Sequence, residues 1–405
     1  MKGNILIGQS GGPTAVINAS LVGIIEGARE WNLDERILGM RWGIEGFMRE
    51  EIVDLGTEDS KTLQALRQTP SSALGSCRYK LKDNDLPHIF ELLKKYDIRY
   101  LFMIGGNDTM DTIQRIEKYC LAQGHDFYGV GVPKTVDNDL YGTDYTPGYP
   151  SAARFVALSV KQAGLLARDM QKVDKYVIHQ TVGRDAGWLA AASSLARDEQ
   201  GDPPHLILIP ERPLRREDFI RRVRDCIDSY GFAFVVCGEG IVWEDGSPVS
   251  ASTERDRFAN IEFGAMGGTS AALMLHRVLK EETGFRGEFQ ITESLAMCAS
   301  DRVSSLDQSE AYECGRVAAR YAWEGRSGVM VTLKRKPNQF NSEFDQIGLA
   351  EVAIKAKPLP SCYIAGDAFD VSDDFLAYLK PLVGPLPEYG RLNYRMLVDE
   401  RRVRP

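Results

Sequence analysis

Short apolar runs that contain or precede a glycine recur along the chain, and they limit its possible folds more than any other feature. The four clearest runs are residues 5–8, 100–105, 128–132 and 234–238. Longer amphipathic stretches lie between them, for example Leu86–Lys95 and Asp111–Leu121. Buried strands that alternate with helices form parallel sheets with crossover helices. The sequence therefore predicts an α/β protein with mainly parallel sheets.

The chain has 405 residues, which is more than one ordinary core accommodates, so about two domains are expected. A Pro-Gly-Tyr-Pro cluster at 147–150 precedes a stretch at 151–173 that we predict to be one long helix, with Ser151 as its N-cap. This cluster is the predicted first domain boundary. We predict two Rossmann-like, three-layer α/β/α domains and a last segment that packs on both. The predicted segments are residues 1–149, 150–291 and 292–405.

Bulk properties exclude several classes of function. The net charge of −8 makes the chain a poor non-specific binder of nucleic acid. No apolar stretch reaches the roughly 18 residues of a membrane span, and the apolar run near the start is too short for a signal peptide. The seven cysteines are scattered without a CxxC pair, which favours free thiols over disulfides or zinc ligands. We therefore expect a cytoplasmic protein without nucleic-acid or membrane partners.

The residues that follow each predicted strand are candidate ligand contacts, because open parallel sheets bind ligands at the carboxyl ends of their strands. After the first strand, Gly11 and Gly12 allow close backbone approach, and a helix from about Val16 presents free N–H groups to an anion. The helix after the second run begins with Gly106, Asn107, Asp108 and Thr109. Taken alone, each loop is equally consistent with a tight turn or an N-cap.

The loop Pro133–Asp139 carries the strongest chemical signal. Asp137 and Asp139 are two residues apart in a segment predicted to be extended, so their side chains point the same way. One carboxylate can bind Mg²⁺ while the other accepts a hydroxyl proton, and Lys134 adds a fixed positive charge. Phosphoryl transfer needs this combination of base, metal and cations. The alternative is an exposed turn rich in Asp and Asn.

Two further loops complete the set. Arg184 follows Gly183 at a strand end, a placement that suits bidentate phosphate binding; a surface pair with Asp185 is the alternative. Glu239 lies between two glycines at another strand end and can accept hydrogen bonds from sugar hydroxyls, although an ordinary turn has the same pattern. Together the five loops predict a cleft for two phosphorylated ligands and a metal.

These loops resemble, in the same order, those of the phosphofructokinase family, and within it the pyrophosphate-dependent branch. The resemblance runs from Gly8 to about Leu333, and the loop Pro133–Asp139 is its most specific part. It implies phosphoryl transfer from pyrophosphate, with Mg²⁺, to the 1-hydroxyl of fructose 6-phosphate. It also implies that Asp137 is the base toward that hydroxyl.

The resemblance implies roles for the other loop residues as well. Lys134, Thr135 and Arg184 would contact the phosphoryl group that is transferred, and Asp108 and Asp139 would place Mg²⁺. The implied donor-binding residues are Gly11, Gly12, Arg78, Gly106, Asn107, Asp108 and Thr109. The implied acceptor-binding residues are Lys175, Gly183, Glu239 and Arg286. Residues 1–149 would thus bind the donor and residues 150–291 the acceptor. Lys175 and Arg286 would act from a neighbouring subunit of a homodimer or homotetramer.

Two positions indicate the donor. Asp108 stands where ATP-using members of the family have a glycine that leaves room for the nucleotide α-phosphate. Its side chain fills that space, and its charge repels the α-phosphate. Lys134 stands where ATP-using members generally have glycine, and it can bind pyrophosphate directly. Both substitutions favour pyrophosphate.

One segment departs from the family pattern and leaves the acceptor open. Residues 290–298 contain no arginine where the family has one that binds the 6-phosphate, and Glu293 adds a negative charge. Another sugar phosphate, a sulfonated sugar or an unphosphorylated polyol is therefore an alternative acceptor, and ATP an alternative donor. A non-catalytic, sugar-phosphate-binding regulatory protein is a third hypothesis. The intact Asp137, Asp139 and Arg184 argue against it, because a pure binder needs no base.

Overall fold

A computed structural model describes residues 3–31, 36–251, 269–336, 342–353, 355–366 and 369–392. Its strands are β1 (Asn4–Gln9), β2 (Ile37–Met40), β3 (Ile52–Asp54), β4 (Ile98–Gly105), β5 (Tyr128–Pro133), β6 (Tyr176–Thr181), β7 (Leu206–Leu208), β8 (Ala233–Gly238), β9 (Gly287–Ile291), β10 (Val329–Lys334) and β11 (Glu343–Gly348). Its helices are α1 (Ile17–Trp31), α2 (Gly43–Phe47), α3 (Ser60–Arg67), α4 (Leu86–Lys95), α5 (Asn107–Ala122), α6 (Tyr149–Met170), α7 (Trp188–Ala192), α8 (Arg216–Tyr230), α9 (Ala271–Thr283), α10 (Ser305–Trp323), α11 (Leu349–Ala353) and α12 (Asp373–Val383).

The strands form two sheets. The first has the order β11-β10-β5-β4-β1-β2-β3. Its central pairs are parallel, and an antiparallel strand lies at each edge. The second has the order β7-β8-β6-β9, and all of its pairs are parallel. The predicted fold class, two mainly parallel α/β sheets, is confirmed.

The central strands of each sheet are buried on both faces, which explains the continuous apolar runs in the sequence. Ile5 and Ile7 of β1 pack into one hydrophobic cluster together with α1. Leu6, which points to the opposite face, packs into a second cluster with α4 and α5. In the second sheet Val177 and Ile178 divide between two clusters in the same way. Helices therefore cover each sheet on both sides.

The start of α6 differs from the prediction. The helix begins at Tyr149, directly after Gly148 with φ 107°, and it ends at Met170 rather than at 173. Ser151 is not the N-cap. Its hydroxyl donates a hydrogen bond to the carboxylate of Asp307 on α10, and the backbone N–H groups of Gly148 and Ser151 donate to the same carboxylate. A residue distant in sequence thus satisfies the amide groups that a local cap would otherwise bind.

Elements of the predicted third segment contact elements that precede them in the chain. β10 pairs in parallel with β5 of the first sheet, and α12 packs against α6. The division of the chain at residues 149 and 291 stays a prediction, and residues 393–405 of the third segment lie outside the described residues. Within the described ranges, no helix is long and apolar enough to cross a membrane.

Candidate active site

A cleft of about 410 Å³ opens where the loops after β1, β4 and β5 face those after β6 and β8. This arrangement follows from the topology, because carboxyl ends of parallel strands share one edge of a sheet. The predicted site residues that line the cleft are Gly11, Gly12, Arg78, Gly106, Asn107, Asp108, Thr109, Lys134, Thr135, Asp137, Asp139, Arg184 and Glu239. All five loops that the sequence singled out contribute to it.

Lys134 joins two of these loops. It is only 4% exposed, and its Nζ donates a 2.6 Å hydrogen bond to the carbonyl oxygen of Gly12. Its backbone N–H donates to Gly105 over 3.0 Å, which continues the pairing of β5 with β4. Burial lowers the pKa of Lys134 to about 8, although the charges of Asp137 and Asp139 oppose that effect. The ammonium group is therefore held in place before any ligand binds.

The three residues Asp137, Asn138 and Asp139 are not uniformly extended, so that part of the prediction is wrong. Asn138 has φ 55°, in the left-handed region, which asparagine tolerates better than most residues. Its side chain is fully buried in the protein, whereas both neighbouring aspartates line the cleft. The N–H of Asp137 donates to the hydroxyl of Thr135 over 3.1 Å. The two carboxylates therefore reach the cleft through a local turn.

Carboxylates are crowded in the cleft. Burial, and next the charge of Asp139, raise the pKa of Asp137 to about 7. Burial also raises the pKa of Asp139. The pKa of Glu239 rises to about 8, again mainly through burial and then through Glu293. Removing such groups from water disfavours their ionised form, so a bound cation would stabilise the charged cleft.

Three cations in the cleft are available for a polyphosphate. The side chains of Arg78, Lys80 and Arg184 line it, and within the described ranges they make no ion pair or hydrogen bond. Many other arginines in the described ranges pair with carboxylates. Arg197, for example, lies 2.8 Å from the carboxylate of Asp370. Unpaired guanidinium and ammonium groups at a cleft suit a phosphate ligand. Lys80 was not predicted, although its spacing of two from Arg78 was a usable signal.

The residues around Asp108 and Asp139 fit Mg²⁺. The Oδ1 atom of Asn107 is buried without a hydrogen-bond partner, and it lies in the same cleft as both carboxylates. No group of three or more His, Cys, Asp or Glu side chains with metal-binding spacing occurs among the residues that the structure describes. Mg²⁺ is commonly held by one or two carboxylates together with water and substrate phosphates. The carboxylates of Asp108 and Asp139 and the free amide oxygen of Asn107 could therefore be the protein ligands of Mg²⁺.

Three predicted acceptor residues do not line the cleft. Gly183 lies behind it, and its N–H donates to Glu239 Oε1 over 3.3 Å, so it positions that carboxylate. Lys175 and Arg286 precede β6 and β9, at the amino ends of those strands. Lys175 Nζ donates to the carbonyl of Gly231, and Arg286 pairs with Asp174 over 2.9 Å. Their contribution to a neighbouring subunit's site stays a prediction.

Several other cleft residues were not predicted individually. Some lie in the loops that the sequence singled out, namely Ser10, Pro13, Val136 and Val182, whereas others lie outside them, namely Ile44, Tyr79, Met103 and Thr112. Glu293, Ser294 and Met297 also line the cleft, on a one-turn helix that follows β9. Gln180 donates a hydrogen bond to Glu293 and accepts one from the N–H of Ala272, which orients this wall. The segment that departs from the family pattern therefore forms part of the site.

The match with known proteins agrees with this geometry. The profile of the family described as phosphofructokinase matches residues 4–321. The chain belongs to the phosphofructokinase family. A pyrophosphate–fructose 6-phosphate 1-phosphotransferase from Rhodospirillum rubrum is 37% identical over 402 residues, which cover 96% of this chain and 97% of the relative. The resemblance inferred from the loops is confirmed.

One solved structure and one further sequence relative are informative. The crystal structure of the pyrophosphate-dependent phosphofructokinase from Nitrosospira multiformis matches with a TM-score of 0.87 and 32% identity, over 96% of this chain and 94% of that one. A sulfofructose kinase from Alkalicoccus urumqiensis is 30% identical over 89% of this chain and 91% of its own length. Relatives of this chain therefore carry the names of enzymes with different acceptors.

Proposed function

We propose that this phosphofructokinase-family enzyme transfers a phosphoryl group from pyrophosphate to the 1-hydroxyl of fructose 6-phosphate. The observation that carries the proposal is the cleft in which Asp137 and Lys134 lie together with the unpaired Arg184. This cleft brings together the carboxylate base of Asp137, the buried ammonium group of Lys134 and the guanidinium group of Arg184. The nearly full-length similarity to pyrophosphate–fructose 6-phosphate 1-phosphotransferases supports the same donor and acceptor.

In the proposed reaction Asp137 accepts the proton of the sugar 1-hydroxyl as its oxygen forms a bond to phosphorus. The bond from that phosphorus to the bridging oxygen breaks, and phosphate leaves. Lys134, Arg184 and the hydroxyl of Thr135 stabilise the negative charge on the transferred group and the leaving phosphate. Glu239, which Gly183 holds in place, binds a sugar hydroxyl. These groups are positioned before the substrates arrive, which lowers the cost of reorganisation.

Mg²⁺ fits beside this constellation. Asn107, Asp108 and Asp139 would hold it, and when bound it neutralises charge on the pyrophosphate oxygens. Asp108 lies in the first turn of α5, is exposed and lines the cleft. Pyrophosphate ends before this position, whereas a nucleotide has to extend past it. A carboxylate there disfavours ATP through its size and its charge.

A second acceptor class is favoured by one observation. Glu293, Ser294 and Met297 line the cleft, and residues 290–298 include no lysine or arginine to bind a sugar phosphate. A relative of this chain is a sulfofructose kinase. The second candidate is therefore phosphoryl transfer to the hydroxyl of a sugar with a different group at its far end, such as a sulfonate.

The proposed assembly is a cytoplasmic homodimer or homotetramer. Lys175 and Arg286 lie at the amino ends of their strands, away from the cleft of their own chain, so their proposed role in acceptor binding requires another copy. Light scattering on the purified protein tests this. A monomer that is fully active would exclude any role of these residues in acceptor binding.

The decisive experiment measures turnover of the purified protein with Mg²⁺ and fructose 6-phosphate, with pyrophosphate in one reaction and ATP in another. Turnover with pyrophosphate alone supports the first candidate. If neither donor gives turnover, the fructose 6-phosphate assignment fails, and a screen of fructose, sulfofructose and other sugar phosphates with pyrophosphate tests the second. Asp137→Ala serves as the catalytic control: activity that survives this change excludes Asp137 as the base.

A further inference from the structure

The loop that carries both cleft aspartates is held from behind by the C-terminal segment, which lies beyond the residues matched by the family profile. Asn138 is the point of attachment. Its Nδ2 donates to the hydroxyl of Tyr378 over 3.0 Å, and its Oδ1 accepts from the N–H of Thr146 over 3.1 Å. The same oxygen lies 3.4 Å from Lys357 Nζ. Both the nitrogen and the oxygen of the Asn138 side-chain amide therefore make hydrogen bonds inside the protein.

Lys357 connects the same loop to its surroundings through its backbone and its side chain. Its N–H donates to the carbonyl of Asp139 over 2.7 Å. Its Nζ donates to the carbonyls of Thr143 and Asp144, both over 3.0 Å. The stem passes over the ring of Trp188, with Nζ 5.0 Å from the ring centroid. One side chain therefore joins the end of the aspartate loop to the turn that follows it.

Tyr378 completes the attachment from α12. Its hydroxyl accepts from Asn138 and donates to the carbonyl of Asp144 over 3.0 Å. Its ring packs against Trp188 and stacks on Tyr363, with centroids 5.6 and 5.4 Å apart. The position of the hydroxyl is thus fixed by aromatic packing. A hydroxyl that both donates and accepts hydrogen bonds from a fixed position can hold the catalytic loop in one conformation before the substrates bind.

We propose that Tyr378 and Lys357 are positioning residues for the reaction. They hold Asn138 in its left-handed conformation, so that Asp137 and Asp139 on either side face the cleft. Without these contacts the amide can rotate out of the protein, and the two carboxylates then lose their fixed relation to each other. The inference rests on the proposed function, because it assigns Asp137 and Asp139 their roles in phosphoryl transfer.

The test compares Tyr378→Phe and Lys357→Met with matched controls in the same segment. Tyr363→Phe removes a hydroxyl from the neighbouring ring, and that hydroxyl makes no hydrogen bond with the residues that the structure describes. Lys355→Met removes an exposed lysine two positions from Lys357. We expect the two test variants to lose about 10- to 100-fold in kcat, with the KM for the acceptor changed less than threefold, because small displacements of catalytic groups have effects of this order. The controls should keep wild-type values.

A second readout does not depend on turnover. Calorimetry measures pyrophosphate binding with and without Mg²⁺ for each variant. We expect the affinity without Mg²⁺ to be unchanged and the gain on adding Mg²⁺ to fall at least fivefold in Tyr378→Phe and Lys357→Met, because Asp139 is displaced. Tyr378→Phe keeps the ring packing, so its thermal midpoint should stay close to that of the wild type.

The outcomes separate this inference from the proposed function. If the wild type turns over and both test variants match it in kcat and in the Mg²⁺-dependent gain, the positioning role is wrong while the proposed function stands. If the wild type has no activity with any acceptor, the proposed function fails, and an unchanged Mg²⁺-dependent gain in the variants would overturn the positioning role as well. A loss of kcat in Tyr363→Phe equal to that in Tyr378→Phe would also overturn it.

Discussion

The ammonium group of Lys134 donates a 2.6 Å hydrogen bond to the carbonyl oxygen of Gly12, and this bond joins the loops after β5 and β1 on one side of the cleft. A Cβ at Gly11 would lie 3.1 Å from the same ammonium group. The small residues of the first loop thus leave room for the lysine. The lysine in turn brings a positive charge to the place where those loops would bind a phosphate.

Lys134→Met should lower kcat/KM for pyrophosphate by about 10- to 100-fold, because a hydrogen bond to a charged group contributes about 1.5–3 kcal/mol. The methionine keeps most of the volume but donates no hydrogen bond. Steady-state kinetics with varied pyrophosphate checks this, and Lys61→Met, an exposed substitution on α3, is the control. Equal losses in both variants would show that Lys134 has no special role.

Asp137→Asn should lower kcat by about 10²- to 10⁴-fold, which is the usual contribution of a general base. The shape of the residue is retained, so calorimetry should find pyrophosphate binding nearly unchanged. Asp185→Asn removes an exposed carboxylate close enough to influence the pKa of Asp137, and its kcat should stay within a few-fold of the wild type. A kcat for Asp137→Asn near that of Asp185→Asn would contradict the assignment of the base.

The pH profile follows from the buried carboxyl of Asp137, whose pKa is raised to about 7 by burial and by Asp139. The base acts only when deprotonated, so kcat/KM for the acceptor should fall as the pH drops below about 7. Initial rates between pH 5.5 and pH 9 at saturating pyrophosphate measure this. A profile that stays flat down to about pH 5.5 would rule out a base with this pKa.

The same raised pKa has a consequence for stability. The folded protein keeps the proton of Asp137 at pH values where the unfolded chain, with a pKa of about 3.9, has lost it. The stability contributed by this group therefore falls as the pH rises from about 4 to about 7. Thermal unfolding should show Asp137→Asn to be more stable than the wild type at pH 8, with a smaller difference at pH 5.

Asp108→Gly should shift the donor preference toward ATP by at least about tenfold in the ratio of kcat/KM values, because it removes both the bulk and the repulsive charge. Asp111→Gly, one turn further along α5, controls for the helix destabilisation of about 1 kcal/mol that glycine causes. Parallel assays with ATP and pyrophosphate provide the measurement. No rise in the ratio would mean that Asp108 does not exclude nucleotides.

Gly240→Ala should displace the loop that carries Arg184. A Cβ at Gly240 would lie 1.6 Å from the carbonyl oxygen of Arg184, and this backbone atom cannot rotate away. We expect a loss in kcat of about 10²-fold from the shifted arginine. Gly390→Ala is the control, because the structure describes no atom within 4 Å of a Cβ there. Wild-type kinetics in Gly240→Ala would show that the loop adapts without moving its arginine.

The central strands β1, β4, β5, β6 and β8, several helices and the loops of the cleft could be predicted because their signals are local. The amphipathic period over Leu86–Lys95 coincides with α4, and the polar residues after β1, β4, β5, β6 and β8 meet at one cleft. The start of α6 was mispredicted because Asp307, 159 positions from Gly148, satisfies its first amides. Local capping rules do not include partners that are distant in the sequence.

The fold class, the five loops and the chemical identity of the groups in them follow from the amino-acid sequence, because strand ends and glycines are local features of the chain. The way in which the aspartate loop is held depends on tertiary packing. Asn138 meets Tyr378 at a separation of 240 positions and Lys357 at 219. A hydrogen bond depends on distance in space, and packing of α12 against α6 is what brings these residues behind the cleft.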